Sequence, residues 1–423
     1  MNSIPETAIL PPALPRFEEG FINMQELLRS LAESVVNEIM SAEADQLCDA
    51  TGNSGNGYRE RSLVTCVGTL TLRIPKLRVG SFFPGDVIER YQRVDRAIVA
   101  AVSEMYATGT STRKVQKVAA AMGVERISKD QVSAICEHLD AEVEELVSRP
   151  LGALRMPCLW VDATYVKCRR DRRVASTAVV TAIGCDEDGW RRVLGVSVVD
   201  TEGYDSRVGF LRRIRARGVT GVRLVTSDAH EGPRRAVEEV FQGSARQRCV
   251  VHLMRARARA ASGSRGRVRR VCKMVAPVFR LKEAGAVRAA YHLAVDMLEG
   301  CCPEAARILE GAEPDALAHL DFPPGHWKRL RTNNVQERAN REIKRRARVV
   351  QAFPSTASLE RLAGAVMCDQ DEARSDARYF PAGAMSELYE EQGAAEAASP
   401  ERREEWLSVA KKAIEASLEL ADE

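Results

Sequence analysis

PCLWVDATYVKC at 157–168, ASTAVVTAIGCD at 175–186 and RVLGVSVVD at 192–200 are three short runs rich in apolar and β-branched residues. Runs of this length and makeup read as strands. DSRVGFLRRIRARG at 205–218 changes to helical periodicity. VRLVTSD at 222–228 reads as a fourth strand, EGPRRAVEEVF at 231–241 as a second helix, and RQRCVVHLM at 246–254 as a fifth strand. Three strands in succession, then helix, strand, helix, strand, predict an α/β domain built on a mixed sheet.

That order is the one of a ribonuclease H-like sheet. Downstream, 253–330 is mostly helical in pattern, and RTNNVQERANREIKRRARVVQAFP at 331–354 carries a long helix from near Asn334. The expected catalytic domain therefore comprises 151–252 and 331–375, interrupted by a helical insertion at 253–330 and followed by an acidic helical tail at 376–423. Upstream, residues 1–20 with Pro5, Pro11, Pro12 and Pro15 read as a flexible leader. Residues 22–48 place Leu27, Leu28, Leu31, Val35, Val36 and Ile39 at near-helical spacing. The turn-rich TGNSGNGYRERS comes next, then an alternating run that predicts a small hairpin around Gly68. Helical pattern resumes near Arg96. STRKVQKVAAAMG predicts a helix with Val115, Val118, Ala119 and Met122 inward; after a break at Gly123, ISKDQVSAICEHL predicts a second, capped by Ser128. Helix, glycine turn, helix at 110–139 is the pattern of a helix-turn-helix DNA reader. Arg113, Lys114 and Lys117 then stand on its first helix, and Lys129, Gln131 and Ser133 at the exposed start of the reading helix. The region 21–150 is expected to be a mainly helical DNA-binding region.

The chain has 423 residues, of which 45% are hydrophobic and only 5% aromatic, so Val, Leu, Ile and Ala must fill two or three cores. No apolar run approaches the ~18 residues of a membrane span, and the proline-rich start with Glu6 is unlike a secretory signal. A cytoplasmic, nucleoid-associated protein is expected. Eleven scattered cysteines without C-x-x-C pairs read as free thiols. A net charge of +3 hides an uneven distribution: twelve Lys or Arg and no acid from Arg246 to Lys282, against eleven acids and four bases from Glu387 to Glu423. A basic middle suits a polyanionic partner, and a solvated helix face gives the same pattern.

Three carboxylates stand out. Asp162 lies within an apolar strand, where an ionised carboxylate is costly unless paired, with Lys167 for example, or metal-bound. Asp228 ends a strand, where sites collect in α/β sheets, and could equally cap the next helix, a role open to Ser227. Glu337 shares a helix face with Arg341 and Lys344; Glu342 is the competing choice. Hard divalent cations take carboxylate oxygens while keeping waters and phosphate as further ligands. Arg341, Lys344, Arg345, Arg346 and Arg348 would flank such a site as phosphate partners.

At these residues the sequence resembles the Mutator-type transposases of bacterial insertion sequences, over about residues 22–375. GYRERSLVTCVGTLTLRIPKLRVGSFFP, EMYATGTSTRKVQKV and ISKDQVS resemble the family's N-terminal blocks. WVDATYVKCR, VRLVTSDAHEGP, QRCVVHLMR and TNNVQERANREIKRRARVVQAFP match its catalytic blocks in order. The resemblance implies that Asp162, Asp228 and Glu337 are the catalytic and metal-binding Asp-Asp-Glu triad. It implies that Cys249 and His252 form the family's Cys-x-x-His signature; C-x-x-H is also half of a zinc site, but no second pair has matching spacing, so the residues themselves favour a structural or site-orienting role on the expected fifth strand, and His230 either touches phosphate or supports a helix end. Phe210 stands near a position where the family usually has Trp, and Pro233 where it usually has Leu. By the same resemblance the chain recognises terminal inverted repeats in double-stranded DNA, cleaves one strand and joins the resulting 3′-hydroxyl to target DNA by a copy-type, circular-intermediate pathway. Mg²⁺ or Mn²⁺, as two ions, is the implied cofactor, and a homodimer or higher oligomer on DNA the implied assembly.

Overall fold

The computed structural model describes residues 14–84, 96–110, 112–121, 132, 135–152, 155–170, 172–199, 204–229, 231–261, 264–375, 377–388 and 399–422. They divide into two compact units, one within 1–141 and one within 142–423.

In the first unit, helix α1 (Met24–Thr51) starts at Asn23, whose side chain accepts the N–H of Glu26, and ends at Gly52 with φ 65°. Strands β1 (Gly55–Thr65) and β2 (Gly68–Leu77) form the expected hairpin. β1 begins earlier than its turn-like composition suggests, because β2 supplies a partner as far as Gly55. Met40 and Ala44 of α1 pack on Leu70, Leu72 and Ile74. Helices α2 (Arg96–Ala107) and α3 (Thr112–Ala121) share a second small core with Val132, Ile135 and Cys136. Val115 and Ala119 of α3 are buried as expected, but Val118 is 41% exposed. Met122, Lys129, Gln131 and Ser133 lie outside the described residues, as does most of the expected reading helix. Helix α4 (His138–Ser148) follows.

The second unit is built on a five-stranded sheet of β3 (Cys158–Arg170), β4 (Arg173–Cys185), β5 (Arg191–Val199), β6 (Leu224–Ser227) and β7 (Ala245–Arg248), in the order β5-β4-β3-β6-β7. The first three are antiparallel; β6 and β7 add in parallel through crossover helices α5 (Tyr204–Ala216) and α6 (Glu231–Val240). Leu159, Val161, Val180, Ala182 and Leu194 face Val208, Phe210, Leu211, Ile214, Ala236 and Val237 of the two crossovers. Alternate strand residues look to the other face, which α13 (Asn334–Val350) and α14 (Thr356–Ser375) cover once the chain has made its excursion.

The expected fifth strand is shorter than its apolar run. It stops at Arg248, and 250–260 form helix α7 (Val250–Ala260). β6 ends at Ser227, whose carbonyl accepts the N–H of Cys249 at 2.9 Å, so further strand would have no partner. The helix instead buries Val250, Leu253 and Arg257, spaced three and four apart, in the insertion core. That insertion comprises α8 (Arg265–Val275), α9 (Ala284–Glu299), α10 (Pro303–Glu310), α11 (Glu313–Ala316) and α12 (Trp327–Leu330). The C-terminal helix α15 (Pro400–Asp422) contributes Ala410 and Ile414 to the same core.

Candidate active site

The register of the parallel strands decides where the two aspartates stand. Trp160 of β3 pairs with Thr226 of β6. The same register carried two residues on would set Asp162 opposite Asp228, the residue just past the end of β6, and the two carboxylates are close enough for the charge of Asp228 to act on Asp162. Asp162 is 7% exposed. Its Oδ1 accepts the N–H of Ala163 at 3.0 Å and its Oδ2 accepts the Asn340 amide at 2.6 Å. Burial, and after it the charge of Asp228, pushes its carboxyl up to about 7. Lys167 stands exposed further along β3 and is not its partner.

Helix α13 brings in Glu337. Its inner edge is polar where a core helix is normally apolar. Asn333, Gln336 and Asn340 are all buried. Asn333 donates to the carbonyl of Val161, Gln336 to those of Trp160 and Thr181, and Asn340 to Asp162. Glu337 lies one turn from both Asn333 and Asn340, in the helix's first turn. Glu342 is committed elsewhere: Arg345 at 2.9 Å, with Arg346 at 3.7 Å, pulls its carboxyl below the usual range.

Helix α7 ties the acids together. Cys249 stands at its start, with Sγ accepting the N–H of Asn333 at 3.3 Å. His252, one turn on, places Nδ1 2.5 Å from Asp228 Oδ1, and this partner, then Cys249, raises the imidazole to about 10. Cys249 and His252 thus act from a helix rather than a strand, and bolt β6, α7 and α13 to one another. One further turn along, Arg255 Nη2 lies 3.6 Å from Glu337 Oε1.

Two carboxylates are thus brought side by side, with the third on the helix bolted to them. Among the described residues, no three His, Cys, Asp or Glu side chains converge as a ready-made metal-ligand set. The donors nevertheless suit a hard cation. Glu337 Oε1 and Asn340 Oδ1 are buried acceptors that no hydrogen-bond donor among the described residues satisfies. The Asn340 amide also donates to Asp162, whose carboxyl burial and the charge of Asp228 push up to about 7.

Around the site, Arg341, Lys344, Arg345 and Arg348 are exposed on α13. Arg346, expected among them, is turned inward at 7% exposure and held by Asp369 at 3.0 Å, because its helix position faces α14. Arg113, Lys114 and Lys117 are exposed on α3, and His230 lies outside the described residues. Asn333, Gln336, Asn340 and Arg255 escaped the sequence reading. The first three carry a legible signal, polar residues at spacings of three and four on the face that also holds Ala339 and Ile343; Arg255 carries one only once 250–260 is known to be helical.

The family model described as "Transposase, Mutator family" matches residues 14–376. The transposase for insertion sequence element IS1081 of Mycobacterium tuberculosis is 36% identical over 363 residues, 84% of this chain and 87% of that protein. The transposase for IS256 in transposon Tn4001 of Staphylococcus aureus is 33% identical over 347 residues, 81% and 87% of the two chains. The transposase for IS406 of Burkholderia multivorans is 32% identical over 361 residues, 84% and 92%. No helix among the described residues is long and apolar enough to cross a membrane. With the match running from ahead of α1 through α13, which carries Glu337, and α14, this chain belongs to the Mutator family of transposases.

Proposed function

We propose that this protein is the transposase of a bacterial insertion sequence and that Asp162, Asp228 and Glu337 are its catalytic triad, set on a ribonuclease H-like sheet. The observation that carries the proposal is the closeness of Asp162, on β3, to Asp228, just past the end of the neighbouring parallel strand β6, with Asn340 fixing Asp162 to the helix that bears Glu337. The strand order, three antiparallel strands extended by two parallel ones, supports the ribonuclease H-like assignment.

The three carboxylates, with Asn340 as an adjoining acceptor, are the residues that would hold Mg²⁺ or Mn²⁺. Bound there, such ions would supply charge neutralisation for the attacking and leaving oxygens of an in-line phosphoryl displacement. The chain's own contribution is to orient these side chains. The Asn340 amide holds Asp162 in one rotamer, and the Cys249–His252 turn fixes the end of β6 against the start of α13. Strand cleavage by water and strand transfer by a 3′-hydroxyl are the same displacement with different nucleophiles, so one site serves both. The unit within 1–141, with Arg113, Lys114 and Lys117 exposed on α3, is the part proposed to read the terminal inverted repeats, and two element ends imply a dimer or larger assembly on DNA.

Asp162→Ala, Asp228→Ala and Glu337→Ala should each abolish nicking of element-end DNA in Mg²⁺ while leaving its binding in a mobility-shift assay within a few-fold. Full strand transfer by Glu337→Ala would remove Glu337 from the triad and turn attention to Glu342.

A further inference from the structure

The run RARAR at 255–259 of α7 is split by the helix into two chemically different sets. Arg257 is fully buried and donates to the carbonyl of Val271 at 3.0 Å, joining α7 to α8. Arg255 and Arg259 point outward, and Arg255 keeps 56% of its side chain in solvent. His252, Arg255 and Arg259 are spaced three and four apart, so they line one stripe of the helix. The stripe begins on the carboxylates, His252 against Asp228 and Arg255 against Glu337, and runs away from them toward the turn into α8. Arg255 and Arg259 are about 6 Å apart along the axis at ~1.5 Å per residue, close to the step between successive phosphates of one strand. No acid occurs between Arg246 and Lys282, so nothing within the segment neutralises the stripe.

We infer that Arg255 and Arg259 form a phosphate track that receives consecutive backbone phosphates of the DNA strand leaving the catalytic carboxylates. The assignment rests on the reading of Asp162, Asp228 and Glu337 as the reacting centre. The Arg255–Glu337 contact is long, at 3.6 Å, and its guanidinium side is mostly in solvent, so Arg255 can exchange this carboxylate for another anion. Arg255 then turns from Glu337 to phosphate when DNA enters, and Glu337 becomes available to a cation. A guanidinium suits both partners, since it meets carboxylate and phosphate alike in a planar fork.

The test uses the full chain and a duplex carrying one element end, with EDTA present so that binding is read without catalysis. Arg255→Ala/Arg259→Ala should weaken binding about tenfold, and the slope of log K against log[salt] should fall by about two, at ~0.9 for each phosphate that is no longer neutralised. Arg255→Lys should keep the salt slope. Arg212→Ala, whose side chain pairs with Glu239 on the crossover layer, serves as a control for the loss of a positive charge away from the track and should change neither quantity. The double variant should keep the wild-type melting temperature, because both side chains are exposed, whereas Arg257→Ala should lower it. Unchanged affinity and salt slope in a folded double variant would overturn the track. Persistent nicking by Asp162→Ala would instead overturn the catalytic reading beneath it, so the two failures are separable.

Discussion

Asp162 is the residue on which local chemistry turns. Its carboxyl is raised to about 7 by burial and by Asp228, so metal-free folding carries a pH signature. An unfolded chain ionises this group near ~4, the folded chain only near 7; the unfolded state therefore binds fewer protons between those values, and stability should fall as pH rises through them. The His252 imidazole, raised to about 10 by Asp228, stabilises the fold below about 6.5 and loses that contribution as pH climbs toward 10. Both groups slope the same way, so the melting temperature without metal should decline from about pH 5 to about pH 9. Asp162→Asn should flatten the lower part of that decline and melt higher than the wild type at about pH 8, while losing nicking. Mg²⁺ should raise the wild-type melting temperature more at about pH 8 than at about pH 5, since the cation competes with protons for the ligands. An equal rise at both pH values would mean that Asp162 is not among them. Asn340→Ala removes the donor that lowers Asp162, so the acid limb of its pH–activity profile should move to higher pH, with a ~10–100-fold loss at neutral pH.

At the scale of elements, α13 is a strut held by side chains rather than by apolar packing alone. Gln336 is fully buried and donates to the carbonyls of Trp160 and Thr181, on two different strands. Gln336→Ala should destabilise the second unit by about 1–3 kcal/mol, the cost of buried acceptors left without a donor; a denaturant midpoint shift at constant m-value would measure it. Such polar ties also show what was legible. Strands β3, β4, β5 and β6, both crossovers and the start of α13 at Asn334 are legible, the strands as short apolar, β-branched runs and the helices by their spacing, because each is bounded by a turn or cap. RQRCVVHLM does not: an apolar run of that size fits a buried strand or a helix equally well, and the choice falls to whether a hydrogen-bonding neighbour exists beyond Ser227. Val118 fails for a related reason. Apolar spacing gives the width of a stripe, and of the described side chains of α3 it is Val115 and Ala119 that enter the small core shared with α2. The closeness of Asp162 to Asp228 is a matter of register between strands more than sixty residues apart in sequence, which no local pattern records.

At the scale of the whole chain, the helix beyond the family match is built into the fold. Family similarity ends at residue 376, yet α15 docks on α8 and α9 and seals the insertion core with Ala410 and Ile414. The acidic composition of this expected helical tail describes only its outer face. The inner contact is steric: a Cβ added to Gly285, in the first turn of α9, would lie 2.3 Å from the Trp406 ring, so glycine is what lets the indole close on the helix. The Trp406 indole N–H donates to Glu283 at 2.8 Å, Arg402 pairs with the same carboxylate at 3.0 Å, and Ser417 donates to the Lys273 carbonyl at 2.9 Å. Gly285→Ala should therefore displace Trp406 while favouring the helix intrinsically by roughly 0.5–1 kcal/mol. The two effects have opposite signs. Limited proteolysis separates them: α15 should be released faster from Gly285→Ala than from the wild type, and Trp406→Ala alone should reproduce that release. If Gly285→Ala instead melts higher and keeps its tail, the indole has room to move and the steric account of the docked helix fails.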